Sequence, residues 1–84
     1  MGTAQTVRVC CGNCRKKLGD LKGRPRGLTS VINDDGEIIE TRFYRFRCQR
    51  CGGRDYPVRT ETLARAYEGA LEGNKMILLP QDLR

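Results

Sequence analysis

The segment VCCGNCRK, residues Val9 to Lys16, places three of the chain's five cysteines within five consecutive positions. Cys11 and Cys14 form a C-x-x-C pair, and Cys48 and Cys51 form a second pair after an interval of 33 residues. A tight turn across C-x-x-C directs both thiolates at one ion, so two such turns build a tetrahedral four-sulfur site suited to zinc. We therefore predict that these four cysteines bind one structural Zn²⁺.

The length of the chain favours such a metal site. An 84-residue chain builds only a small core, and chains of this size usually need an additional covalent or metal link. The first residues, MGTAQTVRV, lack the apolar stretch of a secretory signal, and no segment approaches the roughly 18 apolar residues of a membrane span. We expect a cytoplasmic protein with no membrane association, because thiols stay reduced in the cytosol and closely paired cysteines there usually bind metal.

Four cysteines have other possible uses besides binding zinc. Iron, as a single ion or in an iron–sulfur cluster, also binds to four thiolates. A dithiol redox centre usually lies on a βαβ scaffold, which this sequence does not predict, and disulfides would need an oxidising compartment. Catalytic zinc is disfavoured because four thiolates leave no coordination position for water. Structural zinc is the favoured interpretation.

Cys10 is the fifth cysteine and has a different expected role. Adjacent side chains of a strand face opposite sides, so Cys10 faces away from the metal if Cys11 faces it. We expect Cys10 to be a small core residue. A second functional thiol and a spare metal ligand are the alternatives.

Turn residues and hydrophobic patterns predict the remaining elements. Strands are expected at residues 6–9, 18–21, 28–33 and 37–48, with a loop at 22–27 and a hairpin turn at 33–36.

The C-terminal part of the chain predicts a helix. Residues 56–58 are interpreted as a last strand or a connector. Thr60 is the expected N-cap of a helix over residues 60–72. The apolar segment 76–79 is expected to pack against the sheet or the helix; the alternative is an exposed segment that docks on a partner. The predicted fold is therefore a small α+β protein, with a basic metal-binding unit over residues 1–59 and a helix with an apolar tail over 60–84.

A resemblance to a known family follows from these motifs. Residues 6–58 contain two C-x-x-C knuckles, each preceded by a strand, with a hairpin between them, and in this they resemble a zinc ribbon. The segments VRVCCGNCRKKL and YRFRCQRCGG also resemble the small zinc-binding Com-type regulators of phages. That resemblance implies the same four metal ligands and a role in activating translation by binding mRNA. This chain differs in having Cys10 where that family has Arg, a longer interval between the knuckles and a C-terminal helix.

Charge gives separate information about partners. The formal net charge is +6 and the isoelectric point is about 9.4. Residues 1–59 contain 13 Lys and Arg against 6 Asp and Glu, whereas residues 60–84 contain 3 against 4. Clustered cations on one module indicate phosphate binding. The predicted nucleic-acid contacts are Arg15, Lys16, Lys17, Arg24, Arg26, Arg42, Phe43, Arg45, Arg47 and Arg50.

Alternation along residues 37–48 predicts two faces of one strand. The face predicted to form core carries Ile38, Tyr44 and Phe46, and the opposite face carries Ile39, Phe43, Arg45 and Arg47. An aromatic ring beside two guanidinium groups is able to stack a base and hold phosphates. The alternative is that the helix covers Phe43 and that the arginine stems cover apolar surface.

The predicted function is that of a nucleic-acid-binding module, for RNA or DNA, with a regulatory role in gene expression. The alternative is a protein-binding adaptor that docks on a larger machine such as RNA polymerase, through the ribbon or through the helix and tail. No enzymatic activity is expected. The chain has no histidine, which removes the commonest general base, and no nucleophile–base pair can be named.

Overall fold

Seven strands and one α-helix form the part of the chain that the computed structural model describes, residues 5–25 and 27–79. The strands are β1 (Gln5–Cys11), β2 (Lys17–Arg24), β3 (Gly27–Asn33), β4 (Ile38–Ile39), β5 (Phe43–Cys48), β6 (Arg54–Arg59) and β7 (Met76–Leu79). The helix, α1, covers Thr60–Leu71. A short 3₁₀ turn at Gln49–Cys51 connects β5 to β6.

The strands form two sheets. The larger has the order β4-β3-β2-β1-β7, in which every neighbouring pair is antiparallel except β1 and β7, which are parallel. The smaller is the antiparallel hairpin of β5 and β6. The prediction of a small α+β protein with antiparallel sheets and a C-terminal helix is confirmed.

One apolar core joins the two sheets and the helix. Helix α1 contacts β1, β3, β6 and β7, while β5 contacts β2. A side chain at Gly19 on β2 would lie 2.9 Å from Cε1 of Phe46, so glycine allows the aromatic ring of β5 to rest directly on the larger sheet. The buried residues of this core are Val7, Val9, Cys11, Leu18, Leu21, Val31, Phe46, Cys48, Tyr56, Val58, Leu63, Tyr67, Ile77 and Leu79.

The predicted turn between β3 and β4 is confirmed. The side-chain oxygen of Asn33 accepts hydrogen bonds from the backbone N–H groups of Asp35 and Glu37, at 3.0 and 2.9 Å. Gly36 has φ +83°, a left-handed conformation that glycine adopts without steric cost.

The prediction of one strand over residues 37–48 is wrong. The chain leaves the larger sheet after β4 and enters the smaller sheet at β5, and residues 40–42 belong to neither. This break reverses the alternation, so Ile39 packs against the core while Ile38 is 64% exposed. Within β5 the predicted faces are confirmed. Phe46 is buried, Tyr44 is half-buried and packs against the core, and the alternating residues Phe43, Arg45 and Arg47 are exposed.

Two further boundaries differ from the prediction, and one open alternative is decided. Residues 22–24 extend β2 instead of forming a loop, because they pair with β3 across a β-bulge. Of the two interpretations of residues 56–58, the strand is confirmed, because they belong to β6 and are paired throughout with β5. Arg59, in an extended conformation, is the N-cap of α1, so Thr60 is the first helical residue, and its N–H donates to the Arg42 carbonyl at 2.9 Å.

The apolar segment at the end of the chain is packed, as predicted. It forms β7, in which Ile77 and Leu79 are buried against the core. Helix α1 has 12 residues, and within the described ranges no helix has the length and apolar character needed to span a bilayer.

Candidate metal centre

Each C-x-x-C pair lies at the tip of a β-hairpin. The first connects β1 to β2 and the second connects β5 to β6. In the first turn, the N–H of Arg15 donates to the Cys11 carbonyl at 2.7 Å. In the second turn, the N–H of Gly53 donates to the Cys48 carbonyl at 3.0 Å. Both hairpins therefore end in a tight turn that is closed by its own backbone.

The residue after each C-x-x-C pair has a left-handed backbone conformation. Gly52 follows Cys51 with φ +73°, and Arg15 follows Cys14 with φ +63°. In the second turn glycine supplies this backbone conformation, since Gly52 and Gly53 both have positive φ. In the first turn Arg15 adopts this left-handed conformation, which costs a residue with a side chain about 1–2 kcal/mol.

The two hairpins bring the four cysteine sulfurs together. All four Sγ atoms lie within 4.8 Å of one another. The Sγ atoms of Cys11 and Cys51 are 3.6 Å apart, and those of Cys14 and Cys48 are 3.4 Å apart. A tetrahedral ion with metal–sulfur bonds of about 2.3 Å requires sulfur–sulfur separations of about 3.8 Å. These four residues therefore fit a tetrahedral four-thiolate metal site, in agreement with the cysteine spacing.

Polar groups outside the four cysteines contact the sulfurs. The hydroxyl of Tyr56, which is buried, lies 3.0 Å from Sγ of Cys11 and donates to it when that sulfur is a thiolate. The side-chain N–H of Asn13 donates to Sγ of Cys51 at 3.3 Å. Such donors orient metal ligands and disperse their negative charge.

Sequence reasoning missed these surrounding residues. Strand pairing across the second cysteine turn is a signal that could have identified Tyr56. Phe46 lies directly opposite Tyr56 in the hairpin, so both side chains face inward, and the tyrosine lies beside the sulfurs. Arg54 belongs to the same group. Interaction with the Tyr56 hydroxyl, and then the nearby sulfurs of Cys51 and Cys11, raises the pKa of Arg54.

The Cys11 and Cys48 thiols differ in acidity because their surroundings differ. Burial acts to raise the pKa of Cys11, but hydrogen bonds from the Tyr56 hydroxyl and from backbone N–H groups outweigh it and lower this pKa to about 6. Burial, followed by hydrogen bonding to the Cys14 thiol, raises the pKa of Cys48 to about 12. A divalent cation favours the thiolate form of all its ligands, so metal binding at this site releases protons.

Cys10 lies outside the sulfur cluster. It is 2% exposed and pairs with Lys17 on β2 and with Leu78 on β7. Burial raises the pKa of its thiol, which keeps it protonated. The position agrees with the expectation that Cys10 faces away from Cys11, although it is not part of the main core cluster.

Three of the predicted nucleic-acid contacts are in ion pairs. Lys16 lies 3.6 Å from Asp34, and Lys17 lies 2.8 Å from Asp20. Arg47 lies 3.5 Å from Asp55, its cross-strand neighbour in the smaller sheet. These three cations are therefore partly neutralised within the protein.

The other predicted contacts are spread over the molecule. Arg15 and Arg50 lie on the two cysteine turns, while Arg24 lies at the opposite end of β2. Arg26 falls outside the described residues. The remaining residues, Arg42, Phe43 and Arg45, are exposed at the start of the smaller sheet. Ion pairs with described residues are absent for Arg15, Arg24, Arg42, Arg45 and Arg50.

No family model, curated protein or solved structure matches this chain.

Proposed function

We propose that the four-cysteine site binds a structural Zn²⁺ and that the two hairpins form a zinc ribbon. The closeness of the four sulfurs and their all-thiolate chemistry support zinc over oxygen-preferring ions. Four protein ligands leave no open position for water or substrate, which favours a structural role over catalysis. The metal links the larger sheet, through Cys11 and Cys14, to the smaller sheet, through Cys48 and Cys51.

The second part of the proposal is that this ribbon binds nucleic acid as a regulator of gene expression. The observation that supports it is the outward face of the β5–β6 hairpin. Phe43 is 49% exposed there, beside exposed Arg45 and Arg47, and α1 packs mainly against β1, β3, β6 and β7. Guanidinium groups around an exposed ring suit phosphates and bases better than a small neutral ligand.

An adaptor that docks through an exposed apolar tail receives no comparable support. The residues of that tail form β7, with Ile77 and Leu79 buried in the core.

The test is a binding measurement on the zinc-loaded protein. A random pool of fluorescent single-stranded RNA and a pool of duplex DNA are titrated at about 50 and 200 mM salt. We expect binding that weakens with salt but remains measurable at the higher concentration, and that is lost when a chelator removes the zinc. Binding that disappears completely at the higher salt would contradict the proposal, because any basic surface attracts phosphate at low salt.

A further inference from the structure

The exposed side of the smaller sheet is a continuous surface built by two strands. Residues directly opposite one another in an antiparallel pair lie on the same face. The pairs Phe43–Arg59, Arg45–Pro57 and Arg47–Asp55 therefore form one surface, in which all six residues are exposed. We call this surface the ribbon face.

The two ends of the ribbon face differ in charge. At the end near the cysteines, Arg47 is paired with Asp55. Arg45 in the middle of the face and Arg59 at the other end have no ion pair within the part of the chain that the structure describes. Same-side residues of a strand are about 6.6–6.8 Å apart, so Arg45 lies roughly 7 Å from Arg47 and the Phe43–Arg59 pair roughly 13 Å from it. The two uncompensated guanidinium groups therefore lie beside the Phe43 ring.

The ring of Phe43 is available to a ligand. Among the described residues, the aromatic contact involving β5 joins Tyr44 to Phe46, with ring centroids 4.9 Å apart, on the buried side of the strand. Phe43 lies on the other side and is one of the two large apolar residues of the described chain that are exposed. An exposed ring beside arginines forms a surface on which a flat group can stack while a negatively charged group attached to it meets the guanidinium groups.

We propose that the ribbon face binds single-stranded nucleic acid, with one base stacked on Phe43 and the backbone phosphates held by Arg45 and Arg59. This inference rests on the proposed nucleic-acid function and specifies its ligand. In a duplex, bases are stacked on one another and offer only their edges, so the Phe43 ring contributes little. In a single strand, bases are free to stack on aromatic side chains, and the phosphates can follow a cationic surface.

Arg59 is a binding residue that the sequence pattern does not reveal. It precedes α1 and is its N-cap, but its side chain makes no capping hydrogen bond. Register places it opposite Phe43, with Cβ atoms about 5 Å apart. From there its guanidinium reaches a phosphate next to a base that is stacked on the ring.

The test uses oligonucleotides of about 12 nucleotides, a length within the range of single-strand binding sites. Matched RNA and DNA strands carry one 2-aminopurine, whose fluorescence is quenched by stacking, and each is also annealed to its complement. The zinc-loaded variants are Phe43→Leu, Phe43→Tyr and Arg59→Ala. Arg8→Ala is the control, because Arg8 is exposed on β1 between the inward-facing residues Val7 and Val9, on the side of the larger sheet away from the core. Zinc content and circular dichroism check the fold of each variant.

Phe43→Leu should weaken single-strand binding at least about fivefold and remove the quenching, because base stacking on an aromatic ring is lost. Phe43→Tyr should bind like the unchanged protein. Arg59→Ala should make the logarithmic salt dependence less steep by about 0.7, the value for one lost phosphate contact on a single strand, while Arg8→Ala leaves it unchanged. Tighter binding of RNA than DNA would identify a 2′-hydroxyl contact within the same proposal.

Two results would overturn the inference while leaving the proposed function intact. They are equal or tighter binding to the duplexes, and single-strand binding that Phe43→Leu does not change. Failure of the unchanged protein to bind any of the four nucleic acids would overturn both proposals and would favour an acidic protein surface as the partner of the ribbon face.

Discussion

Removing the Tyr56 hydroxyl should weaken metal binding at a site whose four ligands are untouched. The hydroxyl is 3.0 Å from Sγ of Cys11, and both residues are buried, so water cannot replace the lost donor in Tyr56→Phe. A hydrogen bond to a charged group contributes about 1.5–3 kcal/mol, which corresponds to about 10- to 140-fold in affinity. Loss of an outer hydrogen bond to a metal ligand typically costs about 10- to 100-fold, in agreement with that range.

The other two tyrosines of the chain provide matched controls. The Tyr67 hydroxyl donates to the Arg24 carbonyl at 3.0 Å, remote from the cysteines in the fold. Tyr67→Phe loses a neutral hydrogen bond of about 0.5–1.5 kcal/mol, and it affects metal binding only through fold stability, by about 2- to 12-fold. Tyr44 is half-buried, and its hydroxyl has no hydrogen bond within the described residues, so Tyr44→Phe should change affinity less than twofold.

The assay is competition for zinc between each variant and a coloured chelator at constant pH. We expect the affinities to decrease in the order Tyr44→Phe, Tyr67→Phe, Tyr56→Phe. If Tyr56→Phe weakens zinc binding no more than Tyr67→Phe, the hydroxyl does not act on the metal ligand and the reasoning is refuted.

Further predictions concern the fifth cysteine, two glycines and alkaline stability. Mass spectrometry under native conditions should find one zinc ion per chain in Cys10→Ser and none in Cys14→Ser, which should also lose its cooperative fold. Loss of zinc in Cys10→Ser would reverse the ligand assignment. Denaturation at fixed zinc should show Gly19→Ala less stable by about 1–3 kcal/mol, because its Cβ would clash with the Ile32 carbonyl oxygen and with Phe46. Gly69→Ala, with open space around it on α1, should gain about 0.5–1 kcal/mol. Burial raises the pKa of Tyr67 above its ordinary value of 10.0. The contribution of its neutral hydroxyl to the free energy of unfolding is therefore complete below pH 10 and is lost as the pH rises through the folded-state pKa. Tyr67→Phe should reduce this loss of stability at alkaline pH.

The parts of the fold that were predictable are those with local chemical signals. The C-x-x-C pairs identified the four sulfurs that the structure brings within 4.8 Å. The turn at residues 33–36 was predictable because Asn33 and Gly36 serve a local backbone geometry. The helix was predictable because Leu63 and Tyr67 recur at helical spacing, and both are buried.

The parts that were missed depend on contacts between distant segments. The division of residues 37–48 between two sheets follows from where β5 packs, on Gly19 of β2, and alternation alone cannot locate such a break. The parallel pairing of β7 with β1 joins residues more than sixty positions apart. The Tyr56 hydroxyl became part of the metal centre only through the folded hairpin, since a lone tyrosine carries no metal-binding signal.

The parallel pairing of β1 with β7 has a consequence for how the protein is made. Strand β1 lies between β2 and β7, and the N–H of Gly12, inside the first cysteine turn, donates to the Leu79 carbonyl at 2.7 Å. At about 5–20 residues per second, a ribosome adds Leu79 roughly 3–14 s after Cys11. Cys48 and Cys51 follow Cys11 by 37 and 40 residues, so at the same rate all four thiolates are made within about 2–8 s of Cys11, before Leu79. Strand β7 therefore joins a centre whose four ligands are already synthesised, and its contribution is a backbone hydrogen bond that holds the first cysteine turn in place.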